Sequence, residues 1–535
     1  MQDESLTVST RGGMADASPL PTRPGRGSLA DQGLRSFGVL LLGAVIIAAV
    51  AFRLYLVATT DFPLNDGGLF YAFVQAVAKT FPGLPDVASY NDLTMPFAYP
   101  PLSFWLGALL TRFGVDPLTV VHIAPFIMNI LYVLLFALVL LRSGRSPLFT
   151  AITLLFFCVV VRSFVWLVMG GGLSRGLGSI FLMLTMLAIT IPGRERGPSL
   201  PAWRLALAGA AVGGALLSHL EWGIDAAGCV ILSRALGSPN FRDFVRSNLI
   251  AGSVASLVIA PWLVFVLSSL GLAPLLAAGG SSEWGLSATV GHLISFVLFS
   301  THNPLVLLGC AILVRRRDFF WPAFALMCMV LTPRHAPTPM ILGFAVFFAQ
   351  AVVSTYDYLL GRLRSQQLAG GVTAMLAAFF VTYQAYNLAV SRTDFTPLAR
   401  ELRDMMGWMK ANHPGSASII VNERRWWVDA SAEWFPVLAG ARSVNTLQGR
   451  EWLPKPFGEW VAMDEALKTS ASCPELLKAM AAFERPDFIW AETKRECFVA
   501  PAFRPVTHNQ AVTIFRVADA EDWPPGAVAS ARRTR

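Results

Sequence analysis

The chain is 535 residues long, 54% hydrophobic and only 14% charged, with a mean hydropathy of +0.55. That composition excludes an ordinary soluble globular protein and points to a multi-pass membrane protein, with helices rather than the alternating strands of a barrel. The formal net charge of +8 would suggest nucleic acid in a soluble chain, but here the arginines fall in short loops between apolar runs, where they set orientation, so no nucleic-acid partner is expected.

Residues 1–35 are polar and rich in Gly, Pro, Ser and Arg, which predicts a disordered cytoplasmic tail. The apolar run 36–58 is too long and too late for a cleaved signal peptide and is expected to remain as an anchor. Further spans are predicted near 119–141, 147–165, 173–192, 204–220, 223–236, 248–270, 287–314, 319–333, 337–360 and 368–390, about eleven in all. Starting from a cytoplasmic N-terminus, alternation puts Arg142, Arg145, the arginines of 194–204 and 234–246, Arg315 to Arg317, Arg362 and Arg364 inside. The segment 100–113 begins with Pro100-Pro101 and carries Arg112 near its end. It is expected to be interfacial or half-inserted, because a full crossing would place those arginine clusters outside.

At about residue 393 the composition changes: 18 of the 34 acidic residues lie between Asp394 and Asp522, against 12 in 36–392. Residues 393–535 are therefore predicted to be a separate small α/β domain, extracytoplasmic by the same alternation. Thr396-Pro397 reads as N-cap and first residue of a helix with Leu398, Leu402, Met405, Met406 and Met409 on its apolar side. Strands are predicted at 418–421, 487–492 and 512–517. Cys473 and Cys497 are the only cysteines in this part, and a disulfide between them is expected if the domain is extracytoplasmic. Cys158, Cys229, Cys310 and Cys328 lie in apolar segments as small core residues, and no spacing suggests zinc.

The first external loop, 59–99, holds Asp61, Asp66, Asp86 and Asp92, a third of the 12 acids of the membrane region. Asp66 has two readings that can coexist: N-cap of an interfacial helix starting near Gly67, or a base that takes the proton of an acceptor hydroxyl. Gly170-Gly171-Gly172-Leu173-Ser174-Arg175 lies in a predicted external loop, where Arg175 can grip a phosphate oxygen or the glycines can simply pack two helices tightly. Arg334-His335 is a second external candidate for the phosphate. His219 and Glu221, at a turn between two short spans, either orient a substrate or are ordinary loop residues. No Gly-x-Ser-x-Gly supports a Ser/His/Asp triad.

Leu64-Asn65-Asp66-Gly67-Gly68-Leu69-Phe70-Tyr71, Tyr90-Asn91-Asp92 and Pro96-Phe97-Ala98-Tyr99-Pro100-Pro101-Leu102 together resemble the start of GT-C fold glycosyltransferases. The layout is similar to protein O-mannosyltransferases and lipid A aminoarabinose transferases. At motif level the resemblance covers about the first 110 residues. It implies a membrane enzyme in which an acid of the first external loop, here Asp66, is the base, and the excess of Arg over Lys fits a bacterial cell membrane. The donor would be a polyprenyl-phosphate-linked sugar, and the acceptor a glycan, lipid or protein on the outer face. Those relatives carry two adjacent acids where this chain has Asn65-Asp66, and Asp92 is the replacement the sequence offers. No cofactor is implied, and without a DxD-like cluster neither is a divalent metal. The 433–440 and 442–452 segments resemble the tail of membrane glycosyltransferase-like proteins, whose aromatic residues suit sugar stacking and a domain core equally well. The rival readings are a transporter or flippase of lipid-linked glycans and a catalytically inactive GT-C-like binding protein.

Overall fold

The computed structural model describes residues 29–190, 199–280, 303–390, 396–453, 456–499 and 502–518, with 287, 289–291, 293 and 294. Most of the expected tail and more than half of the first part of the span expected at 287–314, residues 288, 292 and 295–302, lie outside the described residues. The N-terminal helix α1, Leu29–Ala58, is 30 residues long and largely bare along its apolar flank. Among its described side chains the one buried charge is Arg53, which donates to Asn129 Oδ1 at 2.6 Å and to the Ala49 carbonyl at 3.0 Å and lies over the Phe164 ring. A guanidinium inside a span needs such partners.

After α1 come helix α2 (Gly68–Thr80), a hairpin of β1 (Val87–Tyr90) and β2 (Leu93–Pro96), and helix α3 (Leu102–Arg112). Phe70, Phe73, Val74 and Val77 recur at helical spacing on α2, and Phe73 meets Phe104 of α3 at 5.2 Å and Phe97 at 5.3 Å in edge-to-face contacts. With 11 residues, α3 extends about 16 Å, roughly half a hydrocarbon core.

The bundle continues with α4 (Pro117–Arg142), α5 (Pro147–Val159), a short α6 (Val165–Val168), α7 (Gly172–Ile189), α8 (Ala202–Ser218), α9 (Leu220–Gly237) and α10 (Phe241–Phe265). It ends with the helices Pro304–Arg315, Phe320–Leu331, Met340–Leu363 and Gln366–Val390. Among the described residues, 6 helices are long and apolar enough to cross a membrane, or 7 if α5 and the segment after it, bent by 97°, form one broken span. Ala202–Ser218, Pro304–Arg315 and Phe320–Leu331 are shorter apolar helices.

The C-terminal part carries a five-stranded mixed sheet in the order β4-β3-β5-β7-β6. Its strands are β3 (Ala417–Val421), β4 (Arg442–Ser443), β5 (Phe488–Ala491), β6 (Phe503–His508) and β7 (Thr513–Val517). β3 runs parallel to β4 and β5, whereas β7 is antiparallel to β5 and β6. The helix Cys473–Met480 is tied by a disulfide between Cys473 and Cys497. Thr396 and Pro397 do not open a helix as expected. The helix begins at Arg400, while Pro397 bridges to Leu64 and the Thr396 carbonyl accepts from Asn65 N–H at 3.3 Å, which holds this stretch extended.

That tie is one of several between the sheet domain and the loop after α1. Trp434 Nε1 donates to the Asn65 carbonyl at 3.1 Å, the Tyr90 hydroxyl donates to the Glu433 carbonyl at 2.6 Å, and the Asn91 amide exchanges two hydrogen bonds with the backbone of Ser443. One hydrophobic core includes Leu69, Phe73 and Val77 of α2 together with Trp434, Phe435 and Trp490 of the sheet domain. The domain therefore sits on the same side as Asp66 and shares its packing.

Candidate active site

Asp66 is not the N-cap of α2. The cap position is Gly67, whose φ of 131° is open to glycine and strained for other residues. The Asp66 carboxylate turns instead to the start of α7, where Oδ1 accepts from the Gly171 N–H at 2.7 Å and Oδ2 from Arg175 Nη2 at 3.2 Å. Gly171 is the N-cap of α7, so the acid meets the positive end of a helix and a guanidinium one turn along it. The glycines allow this approach. A Cβ on Gly171 would lie 2.5 Å from Asp66 Oδ2, and one on Gly170 would lie 2.0 Å from the Asp66 carbonyl. The glycines thus serve tight packing, and the anion that Arg175 holds here is the Asp66 carboxylate.

The cap of α2 comes from 366 residues away. Glu433, in the helix Ala430–Leu438, accepts with Oε1 from the Gly67 N–H at 2.8 Å and from the Leu69 N–H at 3.5 Å. It is 3% exposed, and burial, then the neighbouring Asp66 carboxylate, push its carboxyl up to about 8. The helix that carries it starts at Asp429, which caps Ala432 N–H and is held by Lys468 at 2.8 Å and by Asn422. Glu433 was not singled out from the sequence, and its only signal there was its place in an aromatic-rich segment.

Asp92 does not supply the second acid. Asn91 and Asp92 are the two turn residues of the β1–β2 hairpin, with φ of 55° and 58°, and Asp92 is exposed at the tip, where its charge acts on Arg442 of the sheet domain. The carboxylate beside Asp66 is Glu433.

The other sequence candidates converge on Arg175. His219 joins α8 to α9, Glu221 is in the first turn of α9, and Arg334 and His335 lie in the loop between the helices Phe320–Leu331 and Met340–Leu363. The imidazoles of His219 and His335 are 5.6 Å apart, and Glu221 Oε2 is 4.0 Å from His219 Nδ1 and 3.9 Å from His335 Nδ1. Arg334 and Arg175 are the cations that act on Glu221. Nearby, Tyr99 packs on Trp452 at 5.4 Å, with its hydroxyl 3.3 Å from Ser174 Oγ, and Glu451 is half-buried in the field of Arg334, its carboxyl raised by desolvation. Arg175 also donates to the Trp166 carbonyl at 2.9 Å and lies over that indole, which fixes its fork toward Asp66. The result is a polar recess in which Asp66, Glu221, two arginines and two histidines meet at one end of the bundle.

No family model matches the chain, and no curated protein matches it. Among solved structures, the chain is similar to the archaeal oligosaccharyltransferase AglB from Archaeoglobus fulgidus in complex with an inhibitory peptide and a dolichol-phosphate. That match has 13% identity over 85% of this chain and 70% of the other, with a TM-score of 0.51. It is also similar to ArnT from Cupriavidus metallidurans bound to undecaprenyl phosphate, at 14% identity over 90% of this chain and 98% of that one, with a TM-score of 0.50. At these identities the likeness is one of fold, and the fold is that of the GT-C glycosyltransferases, as the N-terminal motifs implied.

Proposed function

We propose that this protein is a membrane glycosyltransferase that moves a sugar from a polyprenyl-phosphate carrier to an acceptor hydroxyl on the extracytoplasmic face, with inversion at the anomeric carbon. The observation that carries this reading is the Asp66 carboxylate held between the Gly171 N–H and Arg175 beside a recess containing Arg334, His219 and His335. The solved structures of similar fold include one with dolichol-phosphate and one with undecaprenyl phosphate, which supports a lipid-phosphate donor.

In this reading Asp66 removes the proton of the acceptor hydroxyl as its oxygen attacks the anomeric carbon. The bond from that carbon to the carrier phosphate breaks, and the negative charge that grows on the departing phosphate is met by Arg175 and Arg334. Arg175 has five N–H donors, of which two serve Asp66 and Trp166, so its fork also suits a phosphate oxygen. A single displacement of this kind inverts the anomeric configuration. Glu433 holds the loop that carries Asp66, so the sheet domain is part of the catalytic unit.

The test is reconstitution of the full chain with undecaprenyl-phosphate sugars carrying a radiolabel, with envelope extract as acceptor source. Label should pass from the lipid fraction to a new glycoside of inverted anomeric configuration. Transport of intact labelled lipid across the bilayer with no new glycoside would support the flippase reading instead.

A further inference from the structure

The recess contains a set of buried polar atoms that no protein group satisfies. His219 Nδ1, Trp222 Nε1, Asp225 Oδ2 and His335 Nε2 all lack a hydrogen-bond partner. They are contiguous: the Trp222 and His335 rings are 4.6 Å apart, His335 Nε2 lies 3.9 Å from Asp225 Oδ2, and Glu221 sits between the two imidazoles. The separations near 4 Å are too long for hydrogen bonds. Side-chain exposure falls from 19% at Arg175 and 18% at Glu221 to 7% at His335 and 0% at Asp225, so the set lies inward of Arg175 and Glu221. The other Asp225 oxygen accepts from the Thr332 hydroxyl at 2.9 Å, and the Cys328 thiol lies beside the same carboxyl.

Buried polar groups in folded proteins are almost always paired, and a cluster of orphans marks a place where something polar belongs. The character of these groups narrows what it is. Asp225 Oδ2 accepts and the Trp222 N–H donates, whereas each imidazole can do either. A phosphate has only acceptors and would face two carboxylates, Glu221 and Asp225. An ammonium would face Arg334 and Arg175, which act on Glu221 from the same recess. Among the described residues no group of three His, Cys, Asp or Glu side chains is disposed to hold a metal ion. A neutral polyol fits, because each hydroxyl both donates and accepts.

We infer that His219, Trp222, Asp225 and His335 form the subsite for the hydroxyls of the donor's sugar ring, distinct from the arginines that meet its phosphate. This rests on the transferase reading above and adds to it the residues that choose the sugar. The transferred group is an uncharged, hydroxylated ring, and the discrimination between donors resides in the deep end of the recess.

The experiment compares binding of undecaprenyl phosphate with that of undecaprenyl phosphate linked to glucose, mannose or arabinose, by native mass spectrometry of the full chain. The wild-type protein should prefer at least one glycosylated carrier over the bare one by about tenfold or more, the scale of one or two well-made hydrogen bonds. Asp225→Asn keeps an oxygen for Thr332 and reverses the orphan's polarity, and His335→Gln shortens the reach of the ring. Each should remove the preference and leave bare undecaprenyl phosphate bound within about twofold of wild type. Asp66→Asn should keep the preference, since that residue acts on the acceptor. A preference that survives both recess variants, or a wild-type protein that binds glycosylated and bare carriers equally, overturns the inference and leaves the recess a water-filled polar core. A protein that binds none of the carriers overturns the donor class itself, an outcome distinct from loss of discrimination alone.

Discussion

Glu433 Oε1 accepts a hydrogen bond from the Gly67 backbone at 2.8 Å, so the helix that follows the Asp66 loop is capped by a carboxyl of the sheet domain rather than by a residue beside it in sequence. This contact joins two parts of the protein that lie 366 residues apart at the point where the proposed chemistry occurs. It also gives the sheet domain a role beyond that of an appendage.

Protonation of Glu433 should set the upper pH limit of activity. Its carboxyl is pushed up to about 8 from an ordinary value of 4.5, which means that the folded state holds the proton more firmly than the unfolded chain. The resulting stabilisation is complete below the unfolded value and is lost as pH rises through about 8, when a second negative charge forms beside Asp66. Glu433→Gln keeps the oxygen that receives the Gly67 N–H and has no proton to lose. Thermal unfolding and transfer rate measured from pH 6 to 9 should fall at the alkaline end for the wild-type protein and stay nearly flat for Glu433→Gln, on a scale of about one pH unit per tenfold change. Equal slopes would contradict the coupling.

Loss of the cap altogether should be more costly. Glu433→Ala removes the acceptor and strands the Gly67 N–H, an effect of about 1–3 kcal/mol. Limited proteolysis at the junction near residue 396 should accelerate in this variant, and unchanged cleavage would show that the cap does not hold the domain.

Gly171→Ala tests the geometry of the acid while leaving the acid in place. The Gly171 backbone has φ −69°, which alanine adopts freely, so any effect comes from the contact between the new methyl and Asp66 Oδ2, 2.5 Å away. A displaced carboxylate should lower kcat/KM by about a hundredfold. Wild-type kinetics in this variant would mean that the position of Asp66 is immaterial.

Arg175→Lys keeps the charge and loses the fork. A lysine ammonium cannot meet Trp166, Asp66 and a phosphate oxygen in the plane that the guanidinium spans. Transfer should drop by about tenfold to a hundredfold, mostly in kcat if the arginine meets charge that develops during the reaction. A change confined to KM would assign it to ground-state binding alone.

Thiol counting checks the sheet domain. The protein contains six cysteines, of which Cys473 and Cys497 are bonded and four are free. Alkylation of unfolded, unreduced protein should add four labels by mass and, after reduction, six. Six labels without reduction would contradict the bond.

The membrane class, the Asp66 loop and the short α3 were legible because apolar run length and Pro-Pro punctuation are local signals. The convergence of Arg175, His219, Glu221, Arg334 and His335 was legible only as a set of loop candidates, since residue type marks a polar group at a membrane face and says nothing of which loops meet. Of the two readings of Asp66, the cap arose because Asp commonly caps helices, yet a tertiary contact supplied the cap and left the carboxylate on α7. Asp92 read as a partner acid because a lone turn acid and a site acid look alike in sequence. The left-handed Asn91-Asp92 pair between two short alternating strands was the turn signal that outweighed its charge. Glu433 was beyond reach, because nothing in the sequence ties this glutamate to a glycine 366 residues away. Arg53 was passed over inside an apolar run, where its partner Asn129 lies on another helix.

The most direct measurement is sugar transfer by Asp66→Asn, made in a protein whose membrane insertion and thermal unfolding match wild type. With undecaprenyl-phosphate sugar as donor, the account predicts that turnover falls by about a hundredfold to ten-thousandfold while donor binding persists, as expected when a positioned base is removed. Transfer at the wild-type rate would contradict it and would place the chemistry at another group.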